Sequence, residues 1–261
     1  MRSALPLQDL ATAIHDIAIN AATEIMAVYA SDFDVWEKND QSPVTEADER
    51  AEQLILNALR QLDPSIPVVA EENVAKGDIP DVGDGPFWLV DPLDGTKEFV
   101  SRNGEFTVNV GLVEGDVPVL GVVYAPVPKR LFLGWGGAEA FTQDNGSALR
   151  PIRAKVPDAD GLVVVASRSH SNPETEAFLA ELDVKKITSA GSSLKFCLVA
   201  AGEADLYPRM GPTNEWDTAA GHAVLNAAEG SVRTLDDQPF RYRKPTFRNP
   251  PFVARGRENS A

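Results

Sequence analysis

The stretch WLVDPLDGTKEFV, Trp88–Val100, decides how the rest of the chain is read. It starts as an apolar run fit for a buried strand, then sets Asp91 and Asp94 three residues apart around Pro92 and closes on Gly95 and Thr96. Carboxylates are costly to bury, so two of them at the exit of a core strand call for a compensating positive charge. On its own, Asp-Pro-x-Asp-Gly is also simply a good turn, because proline and glycine supply the backbone angles that turns need. The surrounding sequence has to separate these readings.

Upstream, apolar residues recur at helical spacing (Leu10, Ile14, Ile17, Ala21, Ile25, Val28), which predicts an amphipathic helix over residues 7–30. Thr45 with Asp48 three residues later reads as a capped start of a second helix running to about Leu62. IPVVAEEN then reads as a strand ending in Glu71 and Glu72, and PFWLVDP as a buried strand ending in Asp91. From Glu105 to Ile152, short β-rich runs broken by turn signals predict an antiparallel meander. Beyond residue 158 strands and helices alternate: strand LVVVAS, helix 173–182, strand 184–188, helix 192–201, strand 204–208 and helix 215–228. This grammar predicts a layered α/β sandwich with a soft boundary near residue 158, residues 1–158 forming an α+β part and 159–261 an α/β part.

At 261 residues the chain has ample core, and 43% hydrophobic with 24% charged residues is the composition of a folded globular protein. A net charge of −15 opposes binding to a nucleic-acid polymer. Residues 241–261 run the other way, with Arg241, Arg243, Lys244, Arg248, Arg255 and Arg257 against Glu258, and read as a solvated final strand and frayed tail or, alternatively, as a basic segment that helps attract an anion. The lone Cys197 forms no internal disulfide and sits among Phe196, Leu198 and Val199 as a buried thiol. With no leader or apolar membrane-spanning run, the expected compartment is the cytoplasm, loose attachment to the inner membrane face being left open.

Glu71, Asp91, Asp94 and Asp217 all fall at element ends, where layered α/β folds open their crevices. Two unit charges 4 Å apart repel by roughly 4 kcal/mol even at an effective dielectric of about 20, and a divalent cation reverses that cost. Hard oxygen donors without a cysteine–histidine cluster favour magnesium or manganese over zinc. Pro92 leaves the Leu93 carbonyl free as a further ligand, Gly95 permits close backbone approach, and Thr96 opens a helix.

Asp48, Glu71, the Asp91/Asp94 pair and NEWDTAAG around Asp217 occur in an order and spacing that resemble the lithium-sensitive, magnesium-dependent phosphatases that include inositol monophosphatase and fructose-1,6-bisphosphatase. The resemblance spans residues 40–230. It implies the αβαβα sandwich of that family, with two or three magnesium ions, replaceable by manganese, on Glu71, Asp91, the Leu93 carbonyl, Asp94 and Asp217. It assigns Asp48 and Thr96, with Glu71, to activating the attacking water, and implies inhibition by lithium.

VDPLDGTKEFVSRNGEFTVNVGLV, SRSH, GSSLKFCLVAAGEADLYPRMGPTNEWDTAAGHAV narrow the resemblance to the family's 3'(2'),5'-bisphosphate nucleotidases. These remove the 3'-phosphate of adenosine 3',5'-bisphosphate. Arg209 suits a second phosphate, since guanidinium groups recognise phosphate oxygens in pairs. Gly95 and Thr96 would border the reacting phosphate, Ser192, Lys195 and Arg209 would clamp the second, and His170 would pack on adenine or else be a solvated loop residue. Trp36 and Trp135 read as packing residues. The rival readings are a phosphatase of inositol 1-phosphate or fructose 1,6-bisphosphate, and a catalytically silent binder of the nucleotide.

Overall fold

The computed structural model describes residues 5–38, 43–167 and 172–258. Helix α1 (Leu7–Tyr29) buries Leu10, Ile14, Ile17, Ala21, Ile25 and Val28, the apolar stripe seen in the sequence. A short hairpin of β1 (Trp36–Glu37) and β2 (Pro43–Val44) leads to α2 (Glu46–Leu62). Thr45 caps α2: its hydroxyl accepts from the Ala47 amide at 3.2 Å, and Asp48 Oδ2 accepts from the Thr45 amide at 2.8 Å.

Strand β3 (Val68–Ala70), helix α3 (Glu71–Ala75), strand β4 (Phe87–Asp94) and helix α4 (Thr96–Val100) follow. The expected meander is β5 (Thr107–Glu114), β6 (Val117–Ala125), β7 (Arg130–Trp135), β8 (Glu139–Asp144) and β9 (Arg150–Pro151). Together β3 to β9 form a seven-stranded sheet in sequence order, parallel only between β3 and β4. In β4, Trp88 and Val90 enter the core under α1 and α2, while Phe87 and Leu89 enter the core on the opposite face. Burial on both faces is why the run lacks polar alternation.

The second half contains β10 (Leu162–Ser167), α5 (Pro173–Ala180), β11 (Val184–Ala190), α6 (Leu194–Ala200), β12 (Leu206–Arg209), β13 (Thr213–Asn214), α7 (Glu215–Ala227), β14 (Ser231–Thr234), β15 (Arg248–Asn249) and β16 (Phe252–Arg255). Its five-stranded sheet runs β11-β10-β12-β16-β14, and β13 pairs with β15 separately. Helix α7 packs on β4 to β7, and α6 bridges α7 to the second sheet. On that sheet's outer face, Val164, Leu206 and Val253 meet Phe178 and Leu179 of α5. The layers are thus α1/α2, sheet, α6/α7, sheet, α5, the αβαβα sandwich expected.

Glycine brings α7 close to the first sheet. Gly111, Gly121 and Gly134 lie side by side across β5, β6 and β7. A Cβ on Gly121 would stand 2.3 Å from the Ala220 carbonyl oxygen, and one on Gly134 2.7 Å from the Val224 Cα. The bare backbone leaves a trough for the helix, and Asp217 sits in the first turn of that helix.

Three local expectations are corrected. Glu71 and Glu72 open α3 rather than closing a strand. The basic C-terminal segment is no solvated edge, because β16 runs between β12 and β14 and Arg243 donates to the Gly85 carbonyl at 2.6 Å. Trp36 is 52% exposed instead of packed, whereas Trp135 stacks on Phe141 at 5.2 Å and Cys197 is fully buried as expected. No described helix is long and apolar enough to cross a membrane.

Candidate active site

The spacing of Asp91 and Asp94 is resolved by a bulge. Asp91 pairs with Asn109 of β5 and Asp94 with Thr107, so three steps along β4 face two along β5. In a regular strand residues three apart point to opposite faces; the extra residue restores a common side. The sequence pointed to a turn after the strand, but β4 continues through Pro92 and Leu93 to Asp94. Gly95 then takes φ +95°, a left-handed conformation suited to glycine, and starts α4. A Cβ there would lie 2.4 Å from Ser192 Oγ.

A cleft of about 270 Å³ opens at these ends, lined by Glu71, Asp91, Leu93, Asp94, Gly95, Thr96, Ser192, Lys195, Arg209 and Asp217 together with Lys97 and Glu98. Burial, then the charges of Glu71, Asp94 and Asp217, push the Asp91 carboxyl well above the usual carboxylate range. Asp217 is pushed up likewise by burial and by Asp94 and Glu71. Burial raises Asp94 to about 6 against the opposing pull of Lys195. Among the described residues, no three acidic, histidine or cysteine side chains close tightly enough to enclose an ion unaided. The acids share one space and one electrostatic penalty, and their oxygens are the donors that a hard divalent cation takes.

Each acid has a defined support. Asp91 Oδ1 accepts from the Leu93 amide at 3.1 Å, and Asp217 Oδ2 from the Asn214 amide at 2.8 Å. Asn109 donates to Asp94 at 3.4 Å while its own oxygen accepts from Ser193 at 2.7 Å. Lys38, which sequence reasoning passed over, places its ammonium 2.6 Å from both Glu71 and Glu72. Glu52, equally unforeseen, is buried and accepts from the Glu72 amide at 2.8 Å; burial raises it to about 7. Neither residue belongs to a local motif, and only the tertiary arrangement identifies them.

Asp48 and Thr96 meet beside the acids: the Thr96 hydroxyl donates to Asp48 Oδ1 at 3.1 Å and approaches the Leu93 carbonyl at 3.3 Å. Asp48 is 1% exposed, and burial lifts it to about 6. The proposed clamp is more uneven. Arg209 lines the cleft, donates one Nη2 hydrogen to the Pro212 carbonyl at 3.1 Å, and has an Nε without a partner among the described residues. Lys195 is buried, donates to the Ala190 carbonyl at 3.2 Å and to the Ser192 carbonyl, and is pushed down to about 8 by burial. Ser192 holds φ +52° and directs its hydroxyl at the carbonyls of Asp94 (2.7 Å) and Glu105 (2.8 Å). His170 lies outside the described residues.

Similarity to known proteins follows this geometry. The chain is 48% identical over 239 residues to a 3'(2'),5'-bisphosphate nucleotidase CysQ of Escherichia coli O157:H7, covering 90% of this chain and 95% of that protein. It is 30% identical to a CysQ nucleotidase of Haemophilus influenzae, over 92% and 90% of the two chains. The crystal structure of CysQ from Bacteroides thetaiotaomicron superposes with a TM-score of 0.81 at 39% identity, covering 97% of this chain and 98% of that one. An inositol monophosphatase from Anabaena superposes at 0.77 with 26% identity, over 96% and 92%. The profile described as the inositol monophosphatase family matches residues 7–258, and the chain is a member of that family.

Proposed function

We propose that this protein is a magnesium-dependent 3'(2'),5'-bisphosphate nucleotidase that hydrolyses the 3'-phosphate of adenosine 3',5'-bisphosphate to give AMP and phosphate, with 3'-phosphoadenylyl sulfate as a further substrate. The observation that carries the reading is one cleft holding both a floor of mutually repelling carboxylates and the partly unpaired guanidinium of Arg209. The 48% identity to a nucleotidase of that specificity supports it. We place its action in the cytoplasm.

The donors present fit magnesium. Glu71, Asp91, Asp94, Asp217 and the Leu93 carbonyl would hold two or three ions, and manganese could replace them. When bound, the metal supplies positive charge to phosphate oxygens and makes water a stronger nucleophile at neutral pH. The protein's own part is proton handling and orientation. Because Thr96 gives its hydroxyl hydrogen to Asp48, its oxygen lone pairs are free to accept from the attacking water. A proton can then pass from water to Thr96 Oγ1 as Thr96 passes its own to Asp48 Oδ1. The capping of α2 by Asp48 holds that carboxylate in place for the exchange.

At the other end, Arg209 pairs with the second phosphate through its remaining N–H groups. The buried ammonium of Lys195 adds charge from beneath, while Ser192 fixes the backbone around Gly95. Arg209→Glu tests this assignment: hydrolysis of the nucleotide bisphosphate falls far more than hydrolysis of inositol 1-phosphate. Equal losses on both substrates would remove Arg209 from second-phosphate recognition. The family is typically lithium-sensitive, and turnover here is expected to fall across a lithium titration.

A further inference from the structure

Lys97 has no place in the site as read from sequence, yet it lines the same cleft as Arg209. It follows Thr96 directly on α4 and is exposed. The other described cations near the cleft are already engaged. Lys38 binds Glu71 and Glu72, and Lys195 is buried against two backbone carbonyls. Arg209 has spent one donor on Pro212. Lys97 makes no ion pair and no side-chain hydrogen bond among the described residues, so its ammonium is available to a ligand.

The charge of the ligand makes this matter. A terminal phosphate carries between one and two negative charges near neutral pH, and a single guanidinium offsets one of them. Glu71, Asp91, Asp94 and Asp217 would be offset by the ions they hold, and Lys195, buried against two carbonyls, adds charge only from beneath, so the charge that Arg209 leaves faces Glu98 in the same cleft and calls for a further, exposed cation. A lysine on a flexible four-carbon stem supplies a mobile point charge that needs no fixed geometry. We propose that Lys97 is a specificity-determining residue that holds the second phosphate of the substrate together with Arg209. This rests on the nucleotidase reading given above.

The test compares wild type, Lys97→Ala and Lys97→Arg on adenosine 3',5'-bisphosphate and on adenosine 3'-monophosphate, which lacks the second phosphate. In Lys97→Ala the bisphosphate-to-monophosphate ratio of kcat/KM falls roughly tenfold to a hundredfold, chiefly through KM, as expected for losing a charge-assisted contact. Lys97→Arg recovers most of the ratio. An unchanged ratio, whether both substrates hold steady or both fall together, overturns the assignment. A wild-type enzyme that fails to hydrolyse the bisphosphate would instead sink the nucleotidase reading itself, so the two failures are told apart.

Discussion

Thr96 Oγ1 lies 3.1 Å from Asp48 Oδ1, joining the first turn of α4 to the first turn of α2 across 48 residues of chain. If the pair moves one proton as a unit, Thr96→Val and Asp48→Asn should each lower kcat by about 10² to 10⁴. The double variant should then cost little more than the worse single change, since groups acting together are not additive. Multiplying losses in the double variant would show that the two side chains act separately. Steady-state phosphate release on the four proteins measures this.

Gly121→Ala tests whether the site depends on the approach of α7. The new methyl would stand 2.3 Å from a backbone carbonyl of that helix, which has no flexible end to give way. Overpacking of this kind costs about 1–3 kcal/mol or more. A fall in urea midpoint, with weaker magnesium response because Asp217 moves with the helix, is the expected result. An unchanged midpoint would mean that the sheet and helix yield more readily than their packing indicates.

His222 gives a pH dependence of known sign. It is buried on α7, with Nδ1 3.0 Å from the Tyr242 hydroxyl, and burial, opposed by a hydrogen bond with Asn226 and aided by the charges of Lys244 and Arg241, holds it at about 3. The unfolded imidazole titrates near 6.5, so below that value the unfolded chain takes up a proton that the folded chain refuses. The stabilisation is whole above about 6.5 and declines by roughly tenfold in the folding constant per pH unit toward about 3. Buried acids such as Glu52 and Asp48, raised by burial, oppose this trend as pH falls. The comparison is therefore between wild type and His222→Gln at pH 7 and pH 5, where the variant should lose less stability than wild type. Equal losses would contradict a neutral buried imidazole.

Magnesium should stabilise the fold as well as support turnover. Asp91, Asp94 and Asp217 repel one another in the protein alone, and an ion bound only by the folded state raises the melting temperature by mass action. Thermal unfolding should shift upward with millimolar magnesium and return with a chelator. Asp94→Asn should blunt the shift and abolish turnover while leaving the metal-free protein no less stable, because one repelling charge is gone. A full shift in that variant would remove Asp94 from the ligand set.

What the sequence revealed depended on the range of the physics involved. Periodicity in α1, the Thr45–Asp48 capping box and the doubly buried run in β4 are local, and each was legible. The convergence of Glu71 with Asp91 needed only that β3 and β4 be neighbours, which they are. The bulge at Pro92–Leu93 was read as a turn, because its register is set by Asn109 and Thr107 on another strand. Ser192 was read as part of the clamp by resemblance; that its hydroxyl points at two carbonyls, 98 and 87 residues away, is set by tertiary packing and has no local signal. Lys38 and Glu52 carry no motif, and their places follow from tertiary packing alone, whereas Lys97 lies inside the quoted stretch and reaches the cleft because it follows Thr96 on α4.

The most direct test of the central claim is phosphate release from adenosine 3',5'-bisphosphate and from inositol 1-phosphate, measured side by side with magnesium and then with a chelator. The account predicts strong, magnesium-dependent preference for the nucleotide and loss of both activities on chelation. Preference for inositol 1-phosphate would contradict the assignment of Arg209 while keeping the acidic site, and release from neither would contradict the assignment of catalysis itself.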